Sequence, residues 1–213
     1  PGMAIGRALG IEADILWDLE VNANRPDAMS VAGVARDLAA ALGVPFSYPD
    51  FSITTTGEQV DDLIKVTIED PTLCGRFVAT VLRDVTVGVS PAWMQNRLTQ
   101  LGMRPINSVV DISNYVMLEL GQPNHTFDLA AIPNGALRVR RARDGETLVT
   151  LDDVERSLVP NDGVITNEAD EIISLAGVMG GSTTEISDST TDVLLEMAWW
   201  NPPSISRTVK RLN

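Results

Sequence analysis

The chain contains one cysteine and one histidine among its 213 residues. A single cysteine, Cys74, excludes an internal disulfide and fits a reducing compartment, so we expect a cytoplasmic protein. One thiol and one imidazole, that of His125, cannot supply the ligands of a usual tetrahedral zinc site. We therefore expect neither disulfide chemistry nor a bound metal.

Basic side chains are also scarce. Lys and Arg number 16 against 29 Asp and Glu, which gives a formal net charge of −13. Proteins that hold nucleic acid on their own surface neutralise phosphates with Lys and Arg. Tight, unaided binding to RNA or DNA is therefore not expected, and a nucleic-acid substrate would have to be delivered by another part of an assembly.

Long apolar runs are missing as well. No stretch of about 18 apolar residues occurs, so no transmembrane span is expected. The opening "PGMAIGRALG" has no basic-then-apolar leader and looks cut from a longer protein. Hydrophobic residues make up 44% and charged residues 21% of the chain, values typical of a globular protein.

The first 46 residues predict a strand, a turn and a helix. Apolar residues alternate through "DILWDLEV" with the period of a strand. "NANRPD" predicts a turn with a helix N-cap at Asp27, and the helix ends at Gly43. A polar, Thr-rich stretch follows. We predict a linker over residues 47–62, between an N-terminal module (residues 1–46) and a larger domain (residues 63–213).

The larger domain mixes strands and helices. Alternating β-branched residues predict strands in "LIKVTIED", "RFVATVLRDV", "ALRVRRA", "ETLVTLD", "GVITN" and "VLLEMAWW". Helices are predicted over "SPAWMQNRLTQLG", with Ser90 as N-cap, over "NSVVDISNYVMLELG", and after Pro202–Pro203. Because no regular βαβ spacing appears, we predict the α+β class, a layered mixture of sheets and helices.

Two polar side chains stand out as candidates for chemistry. His125 follows Gly121 and Pro123, which predicts a tight loop. It is either a structural histidine bonded to nearby backbone or a group that activates or positions water, since an ordinary imidazole pKa suits proton transfer. Glu196 lies between Leu195 and Met197. It either points to solvent by strand alternation or accepts a hydrogen bond from a ligand in an apolar pocket.

Glycines and basic runs give weaker signals. Gly177, Gly180 and Gly181 in "GVMGG" suit a pocket wall that a ligand approaches closely, but not a nucleotide motif. "RVRRAR" and "RTVKR" are either solvated faces or phosphate guides. Arg104 is better placed for a specific contact, because Pro105 stiffens its loop. No nucleophile-elbow motif is present, so no catalytic triad is assigned.

Four blocks together resemble one family. "NRPDAMSVAGVARDLAAALG", "GMRPINSVVDISNYVMLELGQPNHTFD", "LAGVMGG" and "DVLLEMAWWNPPSISRTVKR" are similar, in order, to the bacterial phenylalanyl-tRNA synthetase beta subunit. The resemblance spans nearly the whole chain, and "NYVMLELGQPNHTFD" is its most specific block. It implies the end of that subunit's first module followed by its editing domain.

The resemblance also implies roles for single residues. Glu196 matches the acceptor of the tyrosine hydroxyl, and His125 matches the histidine beside the ester. The pocket residues correspond to Gly177, Gly180 and its neighbour Gly181, and to Ser113 and Asn114 on the preceding helix. Ser113 stands where the family usually has Thr, Arg104 matches an arginine that contacts the tRNA 3′ end, and a further Thr-containing block would lie beyond Asn213.

The implied function is hydrolysis of tyrosine wrongly esterified to the phenylalanine tRNA. The implied partners are the synthetase alpha subunit in an α2β2 heterotetramer, the 3′ end of tRNA(Phe), and free tyrosine as a pocket ligand. ATP and Mg²⁺ belong to aminoacylation in the full synthetase, and no cofactor is expected in this chain. The alternatives are a non-catalytic assembly or tRNA-positioning module, and a free-standing RNA-binding or deacylating protein, which the net charge disfavours.

Overall fold

The computed structural model describes residues 2–3, 5–8 and 15–212. Its helices, labelled α1 to α6 in chain order, are Ile5–Ala8, Val31–Leu42, Val60–Leu63, Ala92–Gln100, Ser108–Leu120 and Pro202–Leu212. Its strands, labelled β1 to β10, are Lys65–Ile68, Cys74–Leu82, His125–Asp128, Ala136–Arg141, Thr147–Val149, Glu155–Ser157, Gly163–Thr166, Ile172–Leu175, Met179–Gly180 and Val193–Trp200. Short 3₁₀ turns occupy Pro26–Ala28, Leu129–Ala131, Pro133–Gly135 and Ser182–Thr184.

The strands form three sheets. The largest has the order β1-β4-β7-β8-β9, in which only the β1–β4 pair is parallel. A second, antiparallel sheet has the order β2-β10-β3, and β5 pairs with β6 as a hairpin. Mostly antiparallel sheets combined with separate helices confirm the predicted α+β class.

The main core lies between the two larger sheets. Val139 and Ile165 from the five-stranded sheet pack in one cluster with Phe127 and Leu194 from the three-stranded sheet, and all four are fully buried. Val164, the neighbour of Ile165, points the opposite way and packs against Leu148 and Leu175 on the other face. Since successive strand residues alternate faces, β7 is buried on both sides.

The helices cover the remaining faces. Val109 of α5 packs against Val193 on the outer face of the three-stranded sheet. Helix α5 begins at its N-cap Asn107, whose side chain accepts hydrogen bonds from two backbone N–H groups, and ends at Gly121 in the left-handed conformation. Among the described residues the longest helix has 13 residues, and none combines the length and apolar character needed to cross a membrane.

Three local predictions are wrong. Residues 15–21 form no strand, and Leu16, Trp17 and Leu19 are exposed, because alternation produces a strand only where a neighbouring strand and a buried face are available. Asp14, the first residue of the predicted strand, lies outside the described residues.

The N-cap of α2 is Ser30, whose hydroxyl accepts from the Gly33 N–H. The predicted cap, Asp27, instead binds Arg25 and Arg36 through its carboxylate.

The second predicted cap is also displaced. Ser90 does not cap α4, because its hydroxyl donates to the buried carboxylate of Asp111 in α5. The N-cap position belongs to Pro91, and no side chain caps that end. The hydroxyl therefore ties the start of α4 to α5, and the Asp111 carboxylate also accepts from the Ile106 N–H at 2.8 Å.

Candidate active site

A cavity of about 950 Å³ opens where the ends of both larger sheets meet α6. Its walls come from the start of β3, the β8–β9 turn, the second half of β10 and one face of α6. Pro26 and Met117 complete the lining. The volume is at the upper end of the range of roughly 300–1,000 Å³ for small-molecule sites.

His125 and Glu196 face this cavity together. The two residues are opposite each other in the antiparallel pairing of β3 with β10. Directly opposite residues project their side chains on the same face of a sheet, with Cβ atoms about 5 Å apart. His125 is therefore the first residue of a strand, and the prediction of a loop is wrong. The signal that sequence reasoning lacked was the long-range partner, β10.

Glu196 is deeply buried and has no protein partner. Its side chain belongs to a residue only 6% exposed, yet its carboxyl group forms no hydrogen bond or ion pair within the described part of the chain. Burial raises the pKa of Glu196 from 4.5 to about 8. The carboxyl group is thus mostly protonated at neutral pH, and the prediction of a solvent-facing side chain is excluded.

His125 is also held in its neutral form. Burial lowers the pKa of the imidazole from 6.5 to about 4, and no described residue bonds to either ring nitrogen. Its ring and that of Phe127 pack in a T-shaped arrangement, with ring centroids 4.4 Å apart and planes at 89°. An imidazole with a pKa this low is a weak base, so it is better suited to hold a water molecule by a hydrogen bond than to remove a proton from it.

Gly180 lets the imidazole approach the backbone. A Cβ atom at this position would lie 2.5 Å from both Cε1 and Nε2 of His125. Any other residue would push the ring out of its place. Gly177, with φ of 68°, has a similar role on the opposite side of the turn, where a Cβ atom would lie 2.7 Å from Trp200.

Four predicted site residues lie apart from the cavity lining. Ser113 donates to the carbonyl of Asn124 at 3.2 Å, and the Asn124 amide donates back to the Ser113 carbonyl at 3.1 Å. Ser113 thus supports the residue before His125 without itself lining the cavity. Asn114 and Gly181 do not line it either, and Arg104 is exposed, without an ion pair among the described residues.

The arginines of the basic run "RVRRAR" form ion pairs with carboxylates of the same chain. Arg140 is almost fully buried and pairs with Glu146 and Asp170 at 2.8 and 2.9 Å. Arg141 pairs with Asp70, and Arg143 with Asp170. Only Arg140 of this run is buried, whereas the side chains of Arg138 and Arg143 are 39% and 59% exposed and agree with a solvated face. All four arginines pair with neighbouring carboxylates, so none of them is free to guide phosphates.

The structure adds lining residues that sequence reasoning did not select. Trp200 and Ile205 form an apolar wall, and Ser206 and Lys210 lie on the cavity side of α6. The run "RTVKR" contains both Lys210 and Arg211, and the sequence alone did not show which of them faces the cavity. The helix turns Lys210 towards the cavity and Arg211 towards the buried Asp162, which it binds. Cys74 is buried, and burial together with the Glu196 carboxylate raises the pKa of its thiol to about 11.

Comparison with known proteins places the chain in a family. The model of the B3/4 domain matches residues 73–213, and the chain belongs to that family. It is 44% identical over 211 residues to the phenylalanine–tRNA ligase beta subunit of Geobacter sulfurreducens, 47% over 213 residues to that of Dehalococcoides mccartyi, and 44% over 212 residues to that of Moorella thermoacetica. These alignments cover 99–100% of the chain and 26% of each relative, so the chain spans about a quarter of their length.

The predicted resemblance to bacterial phenylalanyl-tRNA synthetase beta subunits is confirmed by these relatives. An N-terminal fragment of the phenylalanyl-tRNA synthetase beta subunit from Pyrococcus horikoshii aligns over 85% of this chain and 54% of the fragment, with 17% identity and a TM-score of 0.44. Among the described residues no group of three or more His, Cys, Asp and Glu side chains is arranged to hold a metal ion.

Proposed function

We propose that this chain is an editing module that hydrolyses the ester of tyrosine wrongly attached to the phenylalanine tRNA. One observation supports this above all others. Glu196 places an unpartnered carboxyl group in a cavity whose other deep walls are apolar, directly across the strand pair from His125. A buried polar group without a partner favours a ligand that supplies the missing hydrogen bond.

The carboxyl group provides the selectivity that editing requires. Phenylalanine and tyrosine differ by one hydroxyl, and a purely apolar pocket distinguishes such a pair only about 10²-fold. In this cavity the phenol O–H of tyrosine donates to the Glu196 carbonyl oxygen. Phenylalanine would leave that oxygen unpaired, at a cost of about 1–3 kcal/mol.

The hydrolytic step needs a positioned water molecule. Water adds to the ester carbonyl carbon, the bond from that carbon to the ribose oxygen breaks, and a proton passes to the ribose oxygen. Neutral His125 accepts a hydrogen bond from the water and holds it beside the ester. The backbone N–H of Gly180 stabilises the charge that develops on the carbonyl oxygen, whereas the Gly181 N–H already donates to the Ile173 carbonyl at 2.8 Å.

The remaining substrate and partner assignments belong to the longer protein. We place the chain in a cytoplasmic beta subunit that assembles with an alpha subunit, and the assembly binds the tRNA body. ATP and Mg²⁺ serve aminoacylation in that assembly, whereas the editing step takes place in this cavity. The net charge of −13 agrees with this division, because the chain itself offers RNA few free cations.

Hydrolysis of tyrosyl-tRNA and phenylalanyl-tRNA by the assembly tests the proposal. Glu196→Ala removes the partner of the phenol, so we expect the preference for tyrosyl-tRNA to fall about 5- to 150-fold, as a loss of about 1–3 kcal/mol implies. Glu185→Ala, which removes an exposed carboxylate outside the cavity, is the matched control and leaves the preference unchanged.

Two results would contradict the proposal. The first is that the synthetase assembly deacylates neither substrate. That result would favour the alternative that this chain is a non-catalytic module for subunit assembly or tRNA positioning. The second is a preference for tyrosyl-tRNA that survives Glu196→Ala, which would remove this carboxyl group from substrate recognition.

A further inference from the structure

Among the described residues, Lys210 is the only lysine or arginine that lines the cavity. Nine arginines of the described chain are held in ion pairs: Arg25, Arg36, Arg83, Arg138, Arg140, Arg141, Arg143, Arg156 and Arg211. Lys210 pairs with no described residue and is exposed. A free cation at the opening of a cavity, in a chain with net charge −13, is a specific feature rather than part of a basic surface.

A hydroxyl group accompanies the ammonium group. Ser206 also lines the cavity, and it precedes Lys210 by four residues on α6. Residues four apart on a helix are neighbours on one face. Since neither side chain has a partner among the described residues, both can donate to the same ligand, and a group with several acceptor oxygens and negative charge suits them.

The polar residues that line the cavity differ in burial. Glu196 is buried, His125 is half-buried, and Ser206 and Lys210 are exposed. We take this order of exposure as the axis from the closed end of the cavity to its opening. A ligand lying along this axis meets first a hydrogen-bonding carboxyl group, then a neutral imidazole, and last a cation. Tyrosine esterified to a nucleotide presents a phenol, an ester and a phosphate in that same order.

We propose that Ser206 and Lys210 form a phosphate subsite that binds the 5′-phosphate of the terminal nucleotide. The subsite deepens the proposed editing function and rests on it for the identity of the natural ligand. It also explains how an acidic chain accepts the end of an RNA, because one local contact replaces a general basic surface. Arg211, the next residue, cannot serve, because its guanidinium group is bound to Asp162.

Titration of the full chain with adenosine 5′-monophosphate and with adenosine tests the subsite without requiring hydrolysis. We expect the wild-type protein to bind the monophosphate about 3- to 10-fold more tightly than adenosine, and the difference to shrink as salt increases. Lys210→Gln abolishes the difference, Lys210→Arg keeps most of it, and Ser206→Ala reduces it.

Arg207→Gln is the matched control. Arg207 is an exposed cation on the same helix without an ion pair among the described residues, but it does not line the cavity. We expect the preference for the monophosphate to survive this change. Equal loss in Arg207→Gln and Lys210→Gln would show a general field effect and overturn the subsite.

The subsite is also overturned if the wild-type protein shows no preference for the monophosphate, or binds neither compound up to millimolar concentration. Failure of the editing proposal has a different signature. An assembly that does not hydrolyse tyrosyl-tRNA, but whose preference for the monophosphate depends on Lys210, would retain the phosphate subsite and lose the proposed reaction.

Discussion

At the scale of single residues, exclusion of water determines the state of the site. Burial raises the pKa of Glu196 and lowers that of His125, so both groups are mostly neutral near neutral pH. Two neutral groups avoid the cost of placing charge among apolar walls. Glu196 and His125 therefore form no salt bridge with each other, and this part of the cavity selects a ligand by hydrogen bonding rather than by charge.

These two pKa shifts predict opposite effects of pH on stability. Glu196 binds a proton more tightly in the folded state, so the stability it contributes is present below pH 4.5 and is lost as pH rises towards 8. His125 binds a proton less tightly when folded, so its contribution is present above pH 6.5 and is lost as pH falls towards 4. Between pH 4.5 and 6.5 the contribution of Glu196 falls with rising pH while that of His125 increases, so the two changes in stability offset each other.

Urea unfolding at pH 5, 6.5 and 8 measures these contributions. Relative to wild type, the free energy of unfolding of Glu196→Gln should increase by roughly 2–4 kcal/mol from pH 5 to pH 8. His125→Gln should gain relative to wild type as pH falls below 6.5. Cys74, with a pKa of about 11, does not titrate in this window. A pH-independent difference for Glu196→Gln would show that its carboxyl group is not buried.

At the scale of secondary structure elements, α6 is the wall whose position must be fixed. Asp162, just before β7, is 1% exposed and accepts hydrogen bonds from the Thr208 hydroxyl at 2.8 Å and from the Arg211 guanidinium group. The opposite side of α6 presents Ile205 and Lys210 to the cavity. One carboxylate therefore orients the helix that carries the opening of the site.

Asp162→Ala should weaken both the fold and the site. It leaves the Thr208 hydroxyl and the Arg211 cation without their partner, so we expect a loss of about 2–4 kcal/mol in the free energy of unfolding. Free tyrosine should then bind more weakly to the folded variant, because α6 is less firmly held. Thermal unfolding and tyrosine titration measure the two effects, and the exposed Asp188→Ala serves as control. Unchanged tyrosine affinity in a destabilised variant would show that Asp162 does not determine the position of α6 at the cavity.

The elements also show what local sequence patterns can and cannot predict. Local patterns placed α5 and β10 closely, because the helical run "NSVVDISNYVMLELG" and the alternating run "VLLEMAWW" depend on residues only a few positions apart. Strand β3 was missed, since its four residues form a strand only by pairing with β10, some 70 residues later. The same distance in sequence separates His125 from Glu196. Their common cavity was therefore suggested by resemblance to a family and not by local pattern.

At the scale of the whole molecule, charge and core are distributed differently. Acidic residues are in excess along the chain, and most arginines of the described residues form ion pairs with carboxylates of the same chain. Within the described part of the chain, the three core clusters consist of residues from Leu63 onward. Helix α2 buries little besides Gly33 and Ala39, and residues 44–59 contain no helix or strand. The boundary predicted at residues 47–62 remains a prediction, which this distribution makes testable.

A chain that begins at Glu58 should fold. It keeps the Glu58–Arg83 ion pair and all three core clusters, and it loses the packing of α2 on α5 and the contact of Pro26 with the cavity. We expect a cooperative thermal transition about 4–8 °C below that of the full chain, as a loss of roughly 2 kcal/mol implies for a domain of this size.

A chain that begins at residue 73, where the B3/4 match starts, is the informative control. It lacks β1, and with it Leu63, Ile64 and Val66 of the main core, and it leaves β4 without its parallel neighbour. Burial of those three side chains is worth several kcal/mol, at about 25 cal/mol for each Å² of apolar surface. We therefore expect this shorter chain to lose its cooperative transition. If it instead unfolds like the chain from Glu58, β1 is an accessory strand and the folding unit starts later than the core predicts.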